Sequence, residues 1–497
     1  MKKVIVIGAG FAGISAATAL ADSGYEVTVL EKHDGPGGRA RQFEAEGFTF
    51  DMGPSWYWMP DVFDAYFEHY GKRVSDYYDL RRLDPGYTIW FGEGHVMEVP
   101  ADRDALYAMF EQYEPGSAKN LEHFLTEAEY KYRTGMDDFV RRPSRSLFEF
   151  AEWRVIKAVF RLQMLQSMAA HVEKLFKNEY LRQLLKFPVL FLGATPENTP
   201  AMYSLMNYAD LALGTWYPMG GMHEIVKAMV ALAEEKGVAF KYGHEVQSIY
   251  VPNGTAKHVV TNHGEHAADI VIGGADYHHV EQHLLPESKR NYTEKYWESR
   301  TMAPSSLLFY MGVDKELPML HHHNLFFDAD FKQHANEIYE DPKWPEKPLF
   351  YVCAPSRTDP SVAPDGHENI FVLIPLAADL EDTEALREQY YHMVMDRLEA
   401  HTHTEIRSHV VYRRGYAHRD FTADYHAYKS NAYGLANTLR QTAFLKPSLK
   451  SKKVSNLYFT GQLTTPGPGV PPSLISGQVV AQEIQKEHPL PTAATPN

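Results

Sequence analysis

The sequence predicts an α/β protein whose nucleotide-binding domain is assembled from separated parts of the chain. Two observations carry this prediction. A short apolar run at the N-terminus leads into a GxGxxG turn, Gly8-Ala9-Gly10-Phe11-Ala12-Gly13, which is how a Rossmann-type strand–turn–helix unit begins. A second apolar run, residues 456–461, leads into a Gly/Pro loop and a helical pattern near the C-terminus. We therefore expect both ends of the chain to meet in one parallel sheet.

Each part of the N-terminal unit has a physical task. Residues 3–7 are apolar and β-rich, as a buried parallel strand should be. Gly8 permits the tight turn, Gly10 lets the backbone approach a pyrophosphate, and Gly13 lets the helix pack closely on the strand. The amides at the start of the helix then bind the phosphates.

An acidic residue completes this unit. Residues 25–30 form a second predicted strand, which ends in Glu31, 18 residues after Gly13. A carboxylate at this position accepts hydrogen bonds from the ribose diol of a dinucleotide. NAD and FAD both satisfy this pattern, so the unit by itself leaves the dinucleotide open.

The residues after Lys32 resemble a large flavoprotein family. The stretch Asp34-Gly35-Pro36-Gly37-Gly38-Arg39-Ala40 is similar to the second glycine motif of the family that contains amine oxidases, protoporphyrinogen oxidases and carotenoid desaturases. Phe50-Asp51-Met52-Gly53-Pro54 resembles the next element of that family, which approaches the flavin. The resemblance implies that the dinucleotide is FAD.

Later segments narrow the resemblance to bacterial phytoene desaturases, including dehydrosqualene desaturases. The most specific similar segments are residues 47–54, 217–222, 431–437 and 459–477. The chain departs from this pattern at Gln462, where many relatives carry an acidic residue. The resemblance implies removal of hydrogen from a long hydrophobic polyene such as phytoene. The FAD-binding residues that it implies are Gly8, Gly10, Phe11, Ala12, Gly13, Glu31, Lys32, Gly38, Arg39, Gly53, Pro54, Val246, Gly461, Gln462, Gly469, Val470 and Pro471.

The predicted architecture is a Rossmann-type FAD-binding domain, a mixed-sheet substrate domain and a helical cap. The FAD-binding domain takes residues 1–83, 214–300 and 440–487, and the substrate-domain sheet takes residues 84–101 and 301–439. Residues 102–213 form the cap, and the Pro/Ala/Thr-containing residues 488–497 form a disordered tail. Trp56, Tyr57 and Tyr433 are candidates for contact with the polyene.

Composition excludes several function classes. The net charge of −15 argues against a nucleic-acid-binding protein. Cys353 is the only cysteine, so no internal disulfide can form and a reducing, cytoplasmic compartment fits best. The histidine runs at 321–323 and 401–403 lack a second half at zinc spacing, so we predict no metal site. No residue pattern identifies a catalytic acid or base.

One segment has the opposite charge to the rest of the chain. Residues 132–186 carry eleven basic and six acidic residues, a local balance of +5. Arg154, Lys157 and Arg161 fall on one predicted helical face, and Trp153 flanks them. Such a helix either rests on anionic lipid or packs on the core with a solvated basic face. A bilayer-resident substrate favours the first alternative, and we therefore expect a peripheral membrane protein.

Several functions share this fold. We predict an FAD-dependent desaturase of a linear polyene in carotenoid biosynthesis, with quinone or oxygen as the electron acceptor. Carotenoid isomerases, hydroxycarotenoid desaturases and oxygenases resemble it closely, and an amine or porphyrinogen oxidase is a more distant alternative. A flavin-fold protein that binds lipid without catalysis is the alternative outside the enzymes.

Overall fold

The computed structural model describes residues 1–136, 140, 163, 166–192, 194–438, 441 and 445–490. The four candidate membrane residues, Trp153, Arg154, Lys157 and Arg161, lie outside these ranges, as do residues 491–497 of the predicted tail.

The strands of the described ranges fall into two large sheets and three small ones. They are β1 (Lys3–Ile7), β2 (Glu26–Leu30), β3 (Gln42–Ala45), β4 (Phe48–Asp51), β5 (Leu80–Arg82), β6 (Tyr87–Phe91), β7 (Val96–Val99), β8 (Trp216–Pro218), β9 (Ala239–Lys241), β10 (Val246–Tyr250), β11 (His258–Thr261), β12 (Gly264–Ala267), β13 (Ile270–Gly273), β14 (Ser305–Val313), β15 (His323–Phe327), β16 (Phe350–Cys353), β17 (Glu368–Leu376), β18 (Val410–Tyr416) and β19 (Leu457–Phe459).

The α-helices of five residues or more in the described ranges are α1 (Phe11–Asp22), α2 (Pro60–His69), α3 (Arg103–Tyr113), α4 (Ser117–Thr134), α5 (Met168–Leu175), α6 (Glu179–Lys186), α7 (His223–Glu235), α8 (Tyr277–Gln282), α9 (Glu294–Glu298), α10 (Phe331–Tyr339), α11 (Glu384–Thr402), α12 (His418–Tyr425) and α13 (Val470–Glu487).

A five-stranded parallel sheet joins the two ends of the chain. Its order is β19-β13-β1-β2-β9, so the N-terminal strand lies at the centre. Val6 is paired in register with Ile272 on one side and with Val29 on the other, and all three are fully buried. The central strand is apolar from Val4 to Ile7 because a parallel sheet is covered on both faces.

Helix α1 packs against both α7 and α13. The contact with α13 is so close that a Cβ atom on Gly477 would lie 2.3 Å from the carbonyl oxygen of Ala12. The Ser15 hydroxyl donates to the carbonyl of Leu474 at 2.8 Å. Because Gly477 has no side chain, the C-terminal segment can lie directly beside the N-terminal glycine turn.

A seven-stranded mixed sheet forms the second layer, in the order β18-β14-β17-β16-β15-β6-β7. The β15–β6 pair is parallel and the others are antiparallel. Phe309 and Met311 of β14 pack on one face together with α11 residues, whereas Tyr310 points to the opposite face. The Tyr310 hydroxyl donates to the carbonyl of Met52 at 2.7 Å, which joins this sheet to the segment after β4.

The helices predicted for residues 102–213 are represented by α3–α6 in the described ranges, and no helix there is both long and apolar enough to cross a membrane.

The chain stays packed beyond α13, although the sequence predicts disorder from residue 488. The carbonyl of His488 accepts hydrogen bonds from Tyr25 (2.8 Å) and Lys2 (3.1 Å). These donors fix the chain as far as Leu490, which packs against Gly24.

Candidate functional site

The first glycine turn has the geometry that its spacing predicts. Gly8 has a φ of +100°, which favours glycine. A Cβ on Gly13 would lie 2.2 Å from the carbonyl oxygen of Gly8, whereas a Cβ on Gly10 would meet nothing within 4 Å. Phe11 and Ala12 form the buried first turn of α1. The backbone at Gly10 therefore borders open space beside a helix N-terminus, as an anion site requires.

Glu31 lies next to this turn and is held by the backbone. Its carboxylate accepts the N–H of Ala9 at 2.8 Å and that of His33 at 3.0 Å. A carboxylate has about four acceptor positions, so Glu31 can still accept from a ribose diol. The carbonyl of Glu31 also accepts the N–H of His244, which brings the turn before Val246 to this end of the sheet.

Lys32 points away from the glycine turn. Its ammonium donates to the carbonyl of Ala423 at 2.8 Å and lies 4.0 Å from Glu245. Val246 is buried at the start of β10 and is paired in register with Thr261.

The second glycine motif lies directly on the first. Gly38 has a φ of +55°, and its Cβ position lies 3.4 Å from the Cα of Gly10. A Cβ on Gly53 would lie 2.5 Å from the carbonyl oxygen of Arg39, and Pro54 follows it. The three backbone segments are thus layered against each other around the open space at Gly10.

The C-terminal loop closes the same site. Gly461 has a φ of +103°, and its Cβ position lies 3.8 Å from the Cβ of Ala12. Gly469 has a φ of +110° and precedes the first turn of α13, which begins with Val470 and Pro471. The structure therefore brings the predicted residues from both ends of the chain to one place.

A polar cluster lies between these segments. Arg39 donates to the carbonyl of Asn431 at 3.0 Å. One end of the Gln462 amide lies 3.0 Å from Asn431 Oδ1 and 3.0–3.1 Å from the guanidinium nitrogens of Arg39. Burial lowers the pKa of Arg39, and the nearby carboxylate of Asp276 opposes that shift. At position 462 a neutral amide therefore contacts the arginine.

Sequence reasoning missed Lys446. This side chain is 5% exposed, and its ammonium has no hydrogen-bond partner in the part of the chain that the structure describes. A Cβ on Gly467 would lie 2.6 Å from the ammonium and 3.2 Å from Asn437 Oδ1, which is also unpaired there. Burial lowers the pKa of Lys446 to about 7. A lone lysine in an irregular segment has no local pattern that could have identified it.

An aromatic wall begins two residues after Pro54. We define it as Trp56, Tyr87, Phe187, His323 and Tyr351. Trp56 stacks on the ring of His323, with centroids 4.1 Å apart and an interplanar angle of 9°. Its ring centroid also lies 5.4–6.2 Å from those of Tyr87, Phe187 and Tyr351. Tyr433 lies close to Tyr351, and burial raises the pKa of Tyr433 to about 12.

Tyr57 differs from its neighbour Trp56. Its side chain is buried, as are those of Tyr87, Phe187 and His323 in the wall, but its hydroxyl hydrogen-bonds that of Tyr78 at 2.9 Å. The Tyr57 ring packs against Phe63. Its contacts are those of a core residue, and the structure does not bring it to the wall with Trp56.

Comparison with known proteins identifies the family. Residues 11–485 match the model of the flavin containing amine oxidoreductases. The chain is 43% identical over 486 residues to a carotenoid 3,4-desaturase of Haloarcula japonica, which covers 97% of this chain and 98% of that protein. The chain belongs to the carotenoid desaturase family of flavin-containing amine oxidoreductases. It is also 33% identical to a zeta-carotene-forming phytoene desaturase of Myxococcus xanthus, over 97% of this chain and 94% of that one.

A solved structure shows the fold of this family at lower identity. The crystal structure of an oxidoreductase from Methanosarcina mazei matches this desaturase-family chain with a TM-score of 0.60 and 16% identity. The match covers 97% of this chain and 100% of the other. The chain is therefore an FAD-dependent oxidoreductase by family, with the mixed α/β fold of flavin-dependent oxidases.

The residues at the site fit FAD. The space at Gly10 would be filled by a Cβ atom, and it borders the first amides of α1. Glu31 retains acceptor capacity for the ribose. The unpaired polar atoms of Lys446 and Asn437 lie against the C-terminal glycine loop, where a polar ring edge would give them partners.

Proposed function

We propose that this protein desaturates a long linear polyene in carotenoid biosynthesis. The observation that carries the proposal is the aromatic wall, which begins two residues after Pro54 and therefore continues directly from the predicted flavin-contacting segment. Stacked and edge-on rings give a conjugated hydrocarbon a large apolar surface without requiring a polar anchor. The names of the two relatives support the same substrate class.

FAD supplies the chemistry of this reaction when bound, because it accepts the hydrogen removed from the substrate. The chain's own residues bind and orient the cofactor and the polyene. The backbone at Gly10, Gly38 and Gly53 positions the cofactor, and Trp56 positions the polyene next to it. No side chain is assigned the role of proton acceptor.

We propose that the substrate is a carotenoid that already carries part of its conjugation. Identity is higher to the carotenoid 3,4-desaturase (43%) than to the zeta-carotene-forming enzyme (33%). A chain related in this way would act near the end of the polyene. Isomerisation and oxygenation of the same substrates are the alternatives within the fold.

We propose that the enzyme works in the cytoplasm at an anionic membrane surface, and that quinone or oxygen reoxidises its flavin. The support is the +5 balance of residues 132–186 in a chain of −15, together with a substrate that dissolves in lipid. Neutralising Arg154, Lys157 and Arg161 should reduce co-sedimentation with anionic liposomes. Neutralising the exposed Lys241, Lys295 and Lys332, an equal change of charge, should not. An equal loss in both triple variants would contradict the location of the contact.

Expression in three carotenoid-producing hosts tests the reaction. The hosts accumulate phytoene, dehydrosqualene or a partly desaturated C40 carotenoid, and pigments are separated and identified by mass. We expect a product two hydrogens lighter, or a multiple of that, in the third host. Unchanged pigment in all three, with FAD-loaded protein shown by absorbance, would exclude desaturation. A product of unchanged mass would indicate isomerisation, and an added oxygen would indicate oxygenation.

A further inference from the structure

Three buried side chains at the edge of the aromatic wall form a cluster that the flavin chemistry does not use. They are His322, His323 and Cys353, each 4% exposed or less. Each offers one donor atom, a ring nitrogen or the sulfur, and the three atoms lie within 4.8 Å of one another. In the described ranges this is the one group of three such side chains close enough to hold a metal ion.

Strand pairing creates the cluster. Strands β15 and β16 are antiparallel, and His323 is the register partner of Cys353. Directly opposed residues present their side chains on the same face of a sheet. His322 precedes β15, and its carbonyl accepts the N–H of Ala354 at 2.8 Å, so it is fixed beside the pair. Cys353 lies 30 positions after His323 in the chain, which explains why sequence spacing predicted no metal site.

Hydrogen bonds leave one nitrogen of each ring free. Nδ1 of His323 lies 2.6 Å from the Tyr351 hydroxyl, which itself donates to Ser55 at 3.0 Å. With Nδ1 of His323 occupied by the Tyr351 hydroxyl, Nε2 is the ring nitrogen left for a ligand. Nδ1 of His322 lies 2.8 Å from Thr358 Oγ1. Neither Nε2 atom has a hydrogen-bond partner in the described structure.

We propose that His322, His323 and Cys353 bind a borderline-soft divalent cation of the Zn²⁺ class. Two imidazoles and one sulfur match the ligands that Zn²⁺ takes in proteins. The Tyr351 and Thr358 hydroxyls, which hydrogen-bond Nδ1 of His323 and His322, supply the outer hydrogen bonds that orient metal-bound histidines. Binding converts the Cys353 thiol to a thiolate, and the proton leaves to solvent.

The fourth coordination position opens into a small cavity. His322 and Cys353 line it together with Asp51, Ser55 and Tyr217. The cavity of about 20 Å³ has room for one water molecule. The metal site is thereby a three-ligand site with a water in the fourth position. Because Trp56 stacks on His323, occupation of the site alters the aromatic wall and couples metal binding to the polyene surface.

Titration of the FAD-loaded protein with Co²⁺ tests the proposal. Tetrahedral Co²⁺ absorbs in the red, where oxidised flavin does not. We expect a red band that saturates at one Co²⁺ per chain, is displaced by Zn²⁺ and is accompanied by a change in tryptophan fluorescence. Cys353→Ser and His323→Gln should each weaken the apparent affinity at least about tenfold. His321→Gln is the matched control, because His321 bonds Thr88 instead, and it should change the affinity less than about twofold.

Two results would overturn the proposal. One is the absence of a saturable band in wild-type protein. The other is a band of equal affinity in Cys353→Ser, which would assign the metal to histidines elsewhere, such as His244, His263 and His266 at one end of the small β10–β12 sheet. Flavin absorbance of each variant shows that it is folded. If His323→Gln does not fold, the near-isosteric Cys353→Ser still decides the outcome.

Discussion

Gly10 and Gly38 lie backbone to backbone, with the Cβ position of Gly38 only 3.4 Å from the Cα of Gly10. The two residues belong to different glycine motifs, and their contact brings the two motifs together beside one open space. On the other side of the turn, the Cβ position of Gly13 is 2.2 Å from the Gly8 carbonyl oxygen. Two glycines of one motif therefore have separate tasks. Gly10 leaves space for the ligand, and Gly13 permits the close packing of helix on strand.

Alanine substitutions at Gly10 and Gly13 should separate these tasks. Gly10→Ala places a methyl group in open space at a φ of −82°. It should leave the unfolding free energy of the FAD-free protein within about 0.5 kcal/mol of wild type and weaken FAD binding at least about tenfold. Gly13→Ala should cost about 3 kcal/mol in stability, because backbone must move. Urea unfolding and flavin titration measure both quantities. Equal stability losses in the two variants would contradict this assignment.

Trp56 and Tyr57 should have opposite phenotypes although they are adjacent. Trp56→Ala removes the ring that stacks on His323 and should lower turnover of the polyene at least about tenfold at unchanged flavin content. Tyr57→Phe removes only the hydrogen bond to Tyr78 and should cost about 1 kcal/mol of stability with turnover within about twofold. Turnover is measured on a polyene in liposomes. Loss of turnover in Tyr57→Phe alone would reverse the assignment.

Lys446 should make stability depend on pH. Its pKa is about 7 in the folded chain and 10.5 in the unfolded chain, so the unfolded chain binds more protons between these values. The unfolding free energy of FAD-free protein should therefore rise from pH 7 to pH 10, by up to about 4 kcal/mol. Below pH 7 this contribution is constant. Lys446→Met should abolish the rise, which urea unfolding at several pH values measures. If wild type and Lys446→Met show the same rise in unfolding free energy with pH, the rise comes from other titratable groups.

Gln462→Glu should stabilise the polar cluster through Arg39. A carboxylate within hydrogen-bond distance of the guanidinium replaces a neutral amide, and charge-assisted hydrogen bonds are the stronger ones. We expect a gain of about 1 kcal/mol. The double variant with Arg39→Gln completes a mutant cycle, in which the gain should disappear. A gain that persists without the arginine would show that the pair does not interact.

The glycine motifs and the central strands could be predicted from the sequence because each depends on local patterns. The predicted strand at residues 3–7 is observed at Lys3–Ile7, and that at 25–30 is observed at Glu26–Leu30. Apolar runs bounded by glycine determine such elements whatever the rest of the chain does. The match to the flavin containing amine oxidoreductases and the similarity to a carotenoid 3,4-desaturase confirm the FAD and desaturase predictions made from the motifs.

Other parts of the site depend on contacts between residues far apart in the chain. The spacing of His322 and His323 gave no indication of Cys353, because the partner is set by β15–β16 register. Nothing near Lys446 in the sequence indicates that its ammonium lies beside Gly467. Trp56 and Tyr57 are both aromatic, and only packing assigns one to the wall and the other to the core.

The sequence by itself thus determined the parallel sheet and the dinucleotide site, because short motifs encode backbone geometry directly, and its resemblance to carotenoid desaturases predicted FAD and the reaction. Tertiary structure decided which side chains are buried without partners and which face each other. Those properties arise when strands pair and helices pack, since burial removes water and register selects neighbours. His323 facing Cys353 and Lys446 facing Gly467 are two examples.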